Sequence, residues 1–265
     1  MLRSIKQLYG DSLGASDGNI GHIKDFYFDD HKWAVRYVVV DTGNWLSERL
    51  VLISPHAFRH FDLYDICRGV NLTCLQIENS PPIALHRPVS RQFEEEYYTY
   101  YGWPYYWAGN GLWGMSSFPY AEPTPEDELA DGAACLPSTK SDDPHLRSTQ
   151  AVKGYAIETS DGLIGHVVDF IVHDKNWAIR HLVVETGHWC WGKEMIISPK
   201  QIDRISYNES KIFVNVTKEA IQKSPQYNVP PWAYQESAKR IPMAPTETRD
   251  QLTSKFSHIS EDIVF

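Results

Sequence analysis

The segment "GHIKDFYFDDHKWAVRYVVVDTGNW", Gly21 to Trp45, returns as "GHVVDFIVHDKNWAIRHLVVETGHW", Gly165 to Trp189. At an offset of 144, residues 18–55 and 162–199 align without a gap and share 18 of 38 positions. Chance would give roughly two or three. The register extends outward: Ser4 matches Ser148, Gly10 matches Gly154, "VNLT" at Val70 matches "VNVT" at Val214, and Ser80-Pro81 matches Ser224-Pro225. A unit of about 80 residues used twice is too short a series for a solenoid. It predicts two copies of one small domain.

The local pattern within each unit is β. "IGHIKDFYFD" and "WAVRYVVVDTG" are rich in β-branched and aromatic residues and flank the polar turn "DDHK". "RLVLISP" reads as a further strand ended by proline, and "ICRGVNLT" as another. "TCLQIENSP" and "TKEAIQKSP" each begin on a threonine suited to cap a helix and end in Ser-Pro. Gln76 follows Thr73 by three residues, the spacing of a capping box. Each unit is therefore expected to be a small, twisted sheet of five or six strands with one short helix, curled into a partly open barrel.

A regular hairpin centred on Asp30–His31 would set Asp25 opposite Arg36, and the offset would set Asp169 opposite Arg180. Both pairs are expected as cross-strand ion pairs that fix register.

The pattern Gly-x-apolar-x-Asp, a polar turn, Trp-x-apolar-Arg, an acidic residue before Thr-Gly-x-Trp, then Ile-Ser-Pro resembles the PRC-barrel domain. Its carriers are Gly21, Asp25, Trp33, Arg36, Thr42, Gly43 and Pro55, with Gly165, Asp169, Trp177, Arg180, Thr186, Gly187 and Pro199 in the second unit. The resemblance implies two PRC-barrels in tandem, a mainly β fold, and use as an assembly module. The same domain forms the cytoplasmic part of the photosynthetic reaction-centre H subunit and the C-terminal part of the ribosome maturation factor RimM. This chain looks more like the stand-alone tandem PRC-barrel proteins of bacteria.

The resulting expectation is a first barrel over 1–85, an aromatic-rich connecting segment over 86–121, an acidic Pro/Ser-rich linker over 122–147, a second barrel over 148–228 and a tail over 229–265. The connecting segment concentrates eleven Tyr, Trp and Phe residues after Phe93. Solvated linkers are poor in such residues, so it is expected to be ordered and packed, with Trp103 and Trp107 as anchors. Tyr97, Tyr101, Trp103, Tyr105, Trp107 and Trp113 are the candidate interaction surface if part of it faces a partner.

No P-loop, no GxGxxG after a strand, no GxSxG and no HExxH occurs, so no catalytic, cofactor or metal residue is assigned. A formal net charge of −9 argues against a nucleic-acid surface. No apolar run approaches ~18 residues, and the N-terminus has no apolar signal core. Four cysteines without a C-x-x-C pair read as free thiols of a cytoplasmic protein. The expected function is a non-enzymatic interaction module with a protein partner or with copies of itself. The alternatives are a small-ligand protein using a cleft between the barrels and the aromatic segment, and a role like that of the reaction-centre H subunit.

Overall fold

In the computed structural model the described residues are 1–46, 49–58, 69–81, 89–119, 146–187 and 192–223. The tail over 229–265, most of the acidic linker, and Cys67, Cys135 and Cys190 lie outside them. The first half contributes β1 (Leu2–Ser4), β2 (Ser12–Gly14), β3 (Asn19–Asp29), β4 (Ala34–Asp41), β5 (Leu50–Ile53) and helix α1 (Cys74–Glu78). Helix α2 (Arg91–Tyr101) opens the aromatic segment. The second half contributes β6 (Leu146–Ser148), α3 (Thr149–Val152), β7 (Ala156–Thr159), β8 (Gly162–His173), β9 (Ile179–Thr186), β10 (Glu194–Ile197), β11 (Ile202–Ser206), β12 (Lys211–Val214) and α4 (Lys218–Gln222). The strands form two open sheets, and neither closes into a barrel among the described residues.

The sequence repeat is a structural repeat down to the pairing of single residues. In the β3–β4 hairpin His22 faces Asp41, Phe26 faces Val38 and Phe28 faces Val35. In the β8–β9 hairpin His166 faces Glu185, Phe170 faces Leu182 and Val172 faces Ile179. These are the same pairs moved by 144. Both hairpins carry two bulges at matching places. Gly21 and Gly165 are identical because a Cβ there would come within 1.9 and 2.0 Å of the carbonyl oxygens of Asp41 and Glu185. Thr73 caps α1 in a full capping box with Gln76, as its spacing predicts, and Thr217 caps α4.

The bulges correct the expected ion pairs. A regular hairpin keeps a constant register, but each bulge adds a residue to one strand and shifts everything beyond it. Asp25 faces Val39 and Asp169 faces Val183. Neither carboxylate meets the arginine expected for it: Arg36 pairs with Asp29 at 3.0 Å, and Arg180 is exposed.

Asp25 and Asp169 instead hold the two halves together. The first strand of each half crosses to the other half's sheet: β1 pairs with β8, and β6 pairs with β3. Ser148 and Thr149 hydroxyls and the Gln150 N–H donate to Asp25, the last two at 2.9 and 3.1 Å. Reciprocally, the Ser4 hydroxyl and the Lys6 N–H, at 2.9 Å, donate to Asp169. Burial pushes both carboxyls above their ordinary range, and the donated hydrogen bonds partly offset this.

An approximate two-fold axis follows from the exchange. Ala34 bridges Ala178, its own equivalent at offset 144. On either side, Val35 N–H donates to Trp177 O (2.9 Å) and Ile179 N–H donates to Trp33 O (2.7 Å). Trp33 and Trp177 both take positive φ, 52° and 59°, an unusual conformation for a bulky side chain. It turns each carbonyl across the axis. One buried apolar cluster runs through both halves, and Met1–Tyr227 forms a single compact unit.

Candidate functional site

Among the described residues the two halves differ on one face. The bulge at Tyr27/Phe28 leaves Arg36 without a partner residue across the ladder, so it can project to the side of its neighbour Tyr37. Both then reach the aromatic segment. Arg36 is fully buried. It pairs with Asp29, donates to Leu112 O at 2.7 Å, and lies over the rings of Tyr106 (4.0 Å) and Trp113 (4.7 Å). Burial alone would raise the Asp29 carboxyl, but the Arg36 charge and the N–H groups of Lys32 and His31 hold it below the usual range. Tyr37 donates to Glu94 at 3.0 Å, as does Tyr106 at 2.6 Å, and Arg91 pairs with the same carboxylate at 2.9 Å. Burial first, and then the Glu94 charge, lift both phenols well above 10.

The segment caps this face through further polar anchors. Tyr97 donates to Leu52 O at 2.8 Å, and the Tyr98 hydroxyl lies 3.3 Å from Ser54 Oγ. His56 stacks on Trp103 and meets Tyr98 and Trp113 edge-on. Burial, helped by the nearby Arg36 charge, lowers the His56 pKa to about 3. Trp113 donates to Asn176 O at 2.9 Å, which bolts the segment to the second half. Helix α2 starts at the Ser90 cap and stops at Gly102 in the left-handed region.

The candidate surface residues therefore divide. Tyr97 and Trp113 are 1% and 3% exposed, which corrects the expectation that they could face a partner. Local sequence does not tell a packed aromatic from an exposed one. Tyr101, Trp103, Tyr105 and Trp107 are half-buried. The deepest rings are Tyr97, Tyr98, Tyr106 and Trp113, ahead of the expected anchors Trp103 and Trp107. Tyr100, Met115 and Phe118 make the exposed edge.

Among the described residues the equivalent face of the second half is open. Arg180, His181, Ser198, Pro199, Lys200 and Ile202 stand where Arg36, Tyr37, Ser54, Pro55, His56 and Phe58 stand in the first. All six line a groove of about 1190 Å³. The turn Asp30–Trp33 of the first half and Leu112 form its other side. Five cationic side chains, Lys32, Arg147, Arg180, Lys200 and Arg204, meet only two carboxylates, Asp30 and Asp203. Asp30 is already paired with Arg147. Sequence reading missed this groove, although its six residues are legible at the offset.

Asp29, Asp30 and His31 come close enough together to hold a metal ion. Asp29 is engaged by Arg36 and Asp30 by Arg147, so the chemistry of this turn is that of paired carboxylates.

Residues 6–65 match the family model of the PRC-barrel domain. The matched PRC-barrel stretch holds β2 to β5, Arg36 and the Ser54–Phe58 face on which the aromatic segment sits. No curated protein matches the chain. Among the described residues no helix is long and apolar enough to cross a membrane.

Proposed function

We propose that the chain is a non-enzymatic protein-interaction module built on two PRC-type units in tandem. The observation that carries this reading is the open groove on the second half. It is concave, it gathers polar and charged groups, and it corresponds residue for residue to a face that in the first half is already occupied by a peptide segment. The exchanged strands and the shared core support a rigid platform, as docking requires. On this reading the chain acts in the cytoplasm, as the tandem PRC-barrel resemblance implies. The small-ligand alternative draws on the same groove, whose volume of about 1190 Å³ is somewhat above that of ordinary small-ligand pockets, roughly 300–1,000 Å³.

His181→Trp tests the reading. Tyr37 holds the equivalent position, so an aromatic ring there is compatible with the strand, and in the open groove it takes up space. With the intact chain and the variant as baits in host extract, proteins held by the intact chain should be lost from the variant. Equal capture by both, or capture by neither, overturns the groove as the interaction site.

A further inference from the structure

We infer that the groove of the second half receives an acidic, aromatic peptide segment of a partner protein, in the way the first half receives residues 91–113 of this chain. The inference rests on the interaction reading above and adds the chemistry of the occupant.

The first half shows what this face accepts. Its arginine takes a backbone carbonyl, Leu112 O, and two aromatic rings at 4.0 and 4.7 Å. Its Ser54 takes a tyrosine hydroxyl, and its His56 takes the flat face of an indole. The neighbouring half supplies a turn carbonyl, Asn176 O, for the Trp113 N–H. Each of these has an equivalent on the open side: Arg180, Ser198, Lys200 and the carbonyl of Lys32. Arg180 has no hydrogen-bond or ion-pair partner among the described residues, and it is exposed. A guanidinium on a concave wall without a ring or an acceptor is half of a stacked, hydrogen-bonded contact.

The differences between the two faces specify the charge. In the first half Arg36 is neutralised by Asp29. The residue equivalent to Asp29 is His173, so Arg180 keeps its charge. Burial and the Arg180 charge itself also lower the pKa of His181. Lys200 replaces His56, and Arg204 adds another cation. An occupant must bring the carboxylates that the face lacks, alongside rings for Arg180 and for the apolar floor of Ile179, Ile202 and Ile205. Helix α2, "RQFEEEYYTYY", has this composition.

The probe is a fluorescein-labelled peptide of residues 91–113, titrated into the full chain and followed by fluorescence anisotropy. Saturable one-to-one binding is expected. Arg180→Glu should weaken it at least tenfold, and so should Lys200→Glu, which is exposed and leaves the core untouched. A peptide with Glu94, Glu95 and Glu96 changed to Gln should bind several-fold more weakly. No saturable binding, binding that neither charge reversal moves, or equal binding of the Gln peptide would overturn the inference. Displacement of the peptide by inorganic phosphate or binding of anionic vesicles in its place would overturn it as well. If host proteins are still captured in a His181→Trp-sensitive manner while the peptide fails, the interaction reading stands and only the occupant's chemistry is wrong.

Discussion

The two halves share their strand register, their bulges and the residues on their axis, yet they treat one face in opposite ways. In the first half Arg36 is buried, paired with Asp29 and covered by Tyr106 and Trp113. In the second half Arg180 stands on the same bulge and faces an open groove. The backbone is thus indifferent to whether the face is filled. What decides is the inserted segment, and the side chains beneath it have adapted: Asp29, Tyr37 and His56 suit a dry interface, whereas His173, His181 and Lys200 suit a wet one.

The comparison breaks most visibly if the filled face is emptied. Removing residues 97–113 takes away Tyr97, Tyr98, Tyr106 and Trp113, whose buried area alone is worth on the order of 10 kcal/mol. That is comparable to the whole stability of a domain. Circular dichroism should show the cooperative melt lost or shifted far down. If the shortened chain melts like the intact one, the segment is not part of the fold.

Next in size is Arg36→Ala, which leaves the buried Asp29 carboxylate without its cation, held by the N–H groups of His31 and Lys32. Breaking a buried pair in this way costs about 3–5 kcal/mol, a fall in melting temperature of roughly 10 °C for a unit of this length. Arg180→Ala should change stability by less than about 0.5 kcal/mol. Similar losses from the two variants would mean that the faces are not in different states.

The pH dependence sharpens the contrast at His56. In the unfolded chain this imidazole protonates near 6.5, but in the folded chain only near 3. Between those values the unfolded state binds more protons, so stability is full above about pH 6.5 and drains as pH falls towards 3. Asp25 and Asp169 act with the opposite sign, because their raised carboxyls gain stability as pH falls through their folded values. The difference between the intact chain and His56→Gln isolates the histidine. Between pH 7 and pH 4 the intact chain should lose about 3 kcal/mol more than the variant, measured by denaturant titration.

The smallest effects test the symmetry itself. Ser4→Ala removes a donor to the buried Asp169 carboxylate and Ser148→Ala a donor to the half-buried Asp25 carboxylate, each at a cost of about 1.5–3 kcal/mol. Both hydroxyls also accept an N–H three residues on, from Gln7 and Ala151. The two losses should agree within about 0.5 kcal/mol. A large inequality would mean that only one crossing strand is stabilising.

Much of the fold could be read from the chain because the repeat preserves the residues that set backbone geometry. Gly21 and Gly165, the Trp33 and Trp177 turns, and the caps Thr73 and Thr217 each have one local role, and the structure shows each in it. The burial of the aromatic segment was legible for a similar reason, since that many rings have no soluble alternative. The crossing of β1 and β6 was not legible. "LRS" occurs at both 2–4 and 146–148, but a strand forms the same ladder with its own half or with the other, and local sequence does not choose. The Asp25–Arg36 pairing failed because bulges are two-strand events that one strand's pattern does not announce. The open groove was hidden for a related reason: it is defined by a covering that, among the described residues, is present on one copy and not on the other.

The crossing strands also say something about ancestry. Two identical chains that traded their first strands across a two-fold axis would make a symmetric homodimer with the contacts seen here, Ala34 touching its own copy. A homodimer must present every surface twice, so an insertion over one face would cover both. Once the two copies are fused, that constraint disappears, and one face can be closed permanently while its twin stays available. With Ala34 and Ala178 on one chain, the two sides of the axis are free to be unequal.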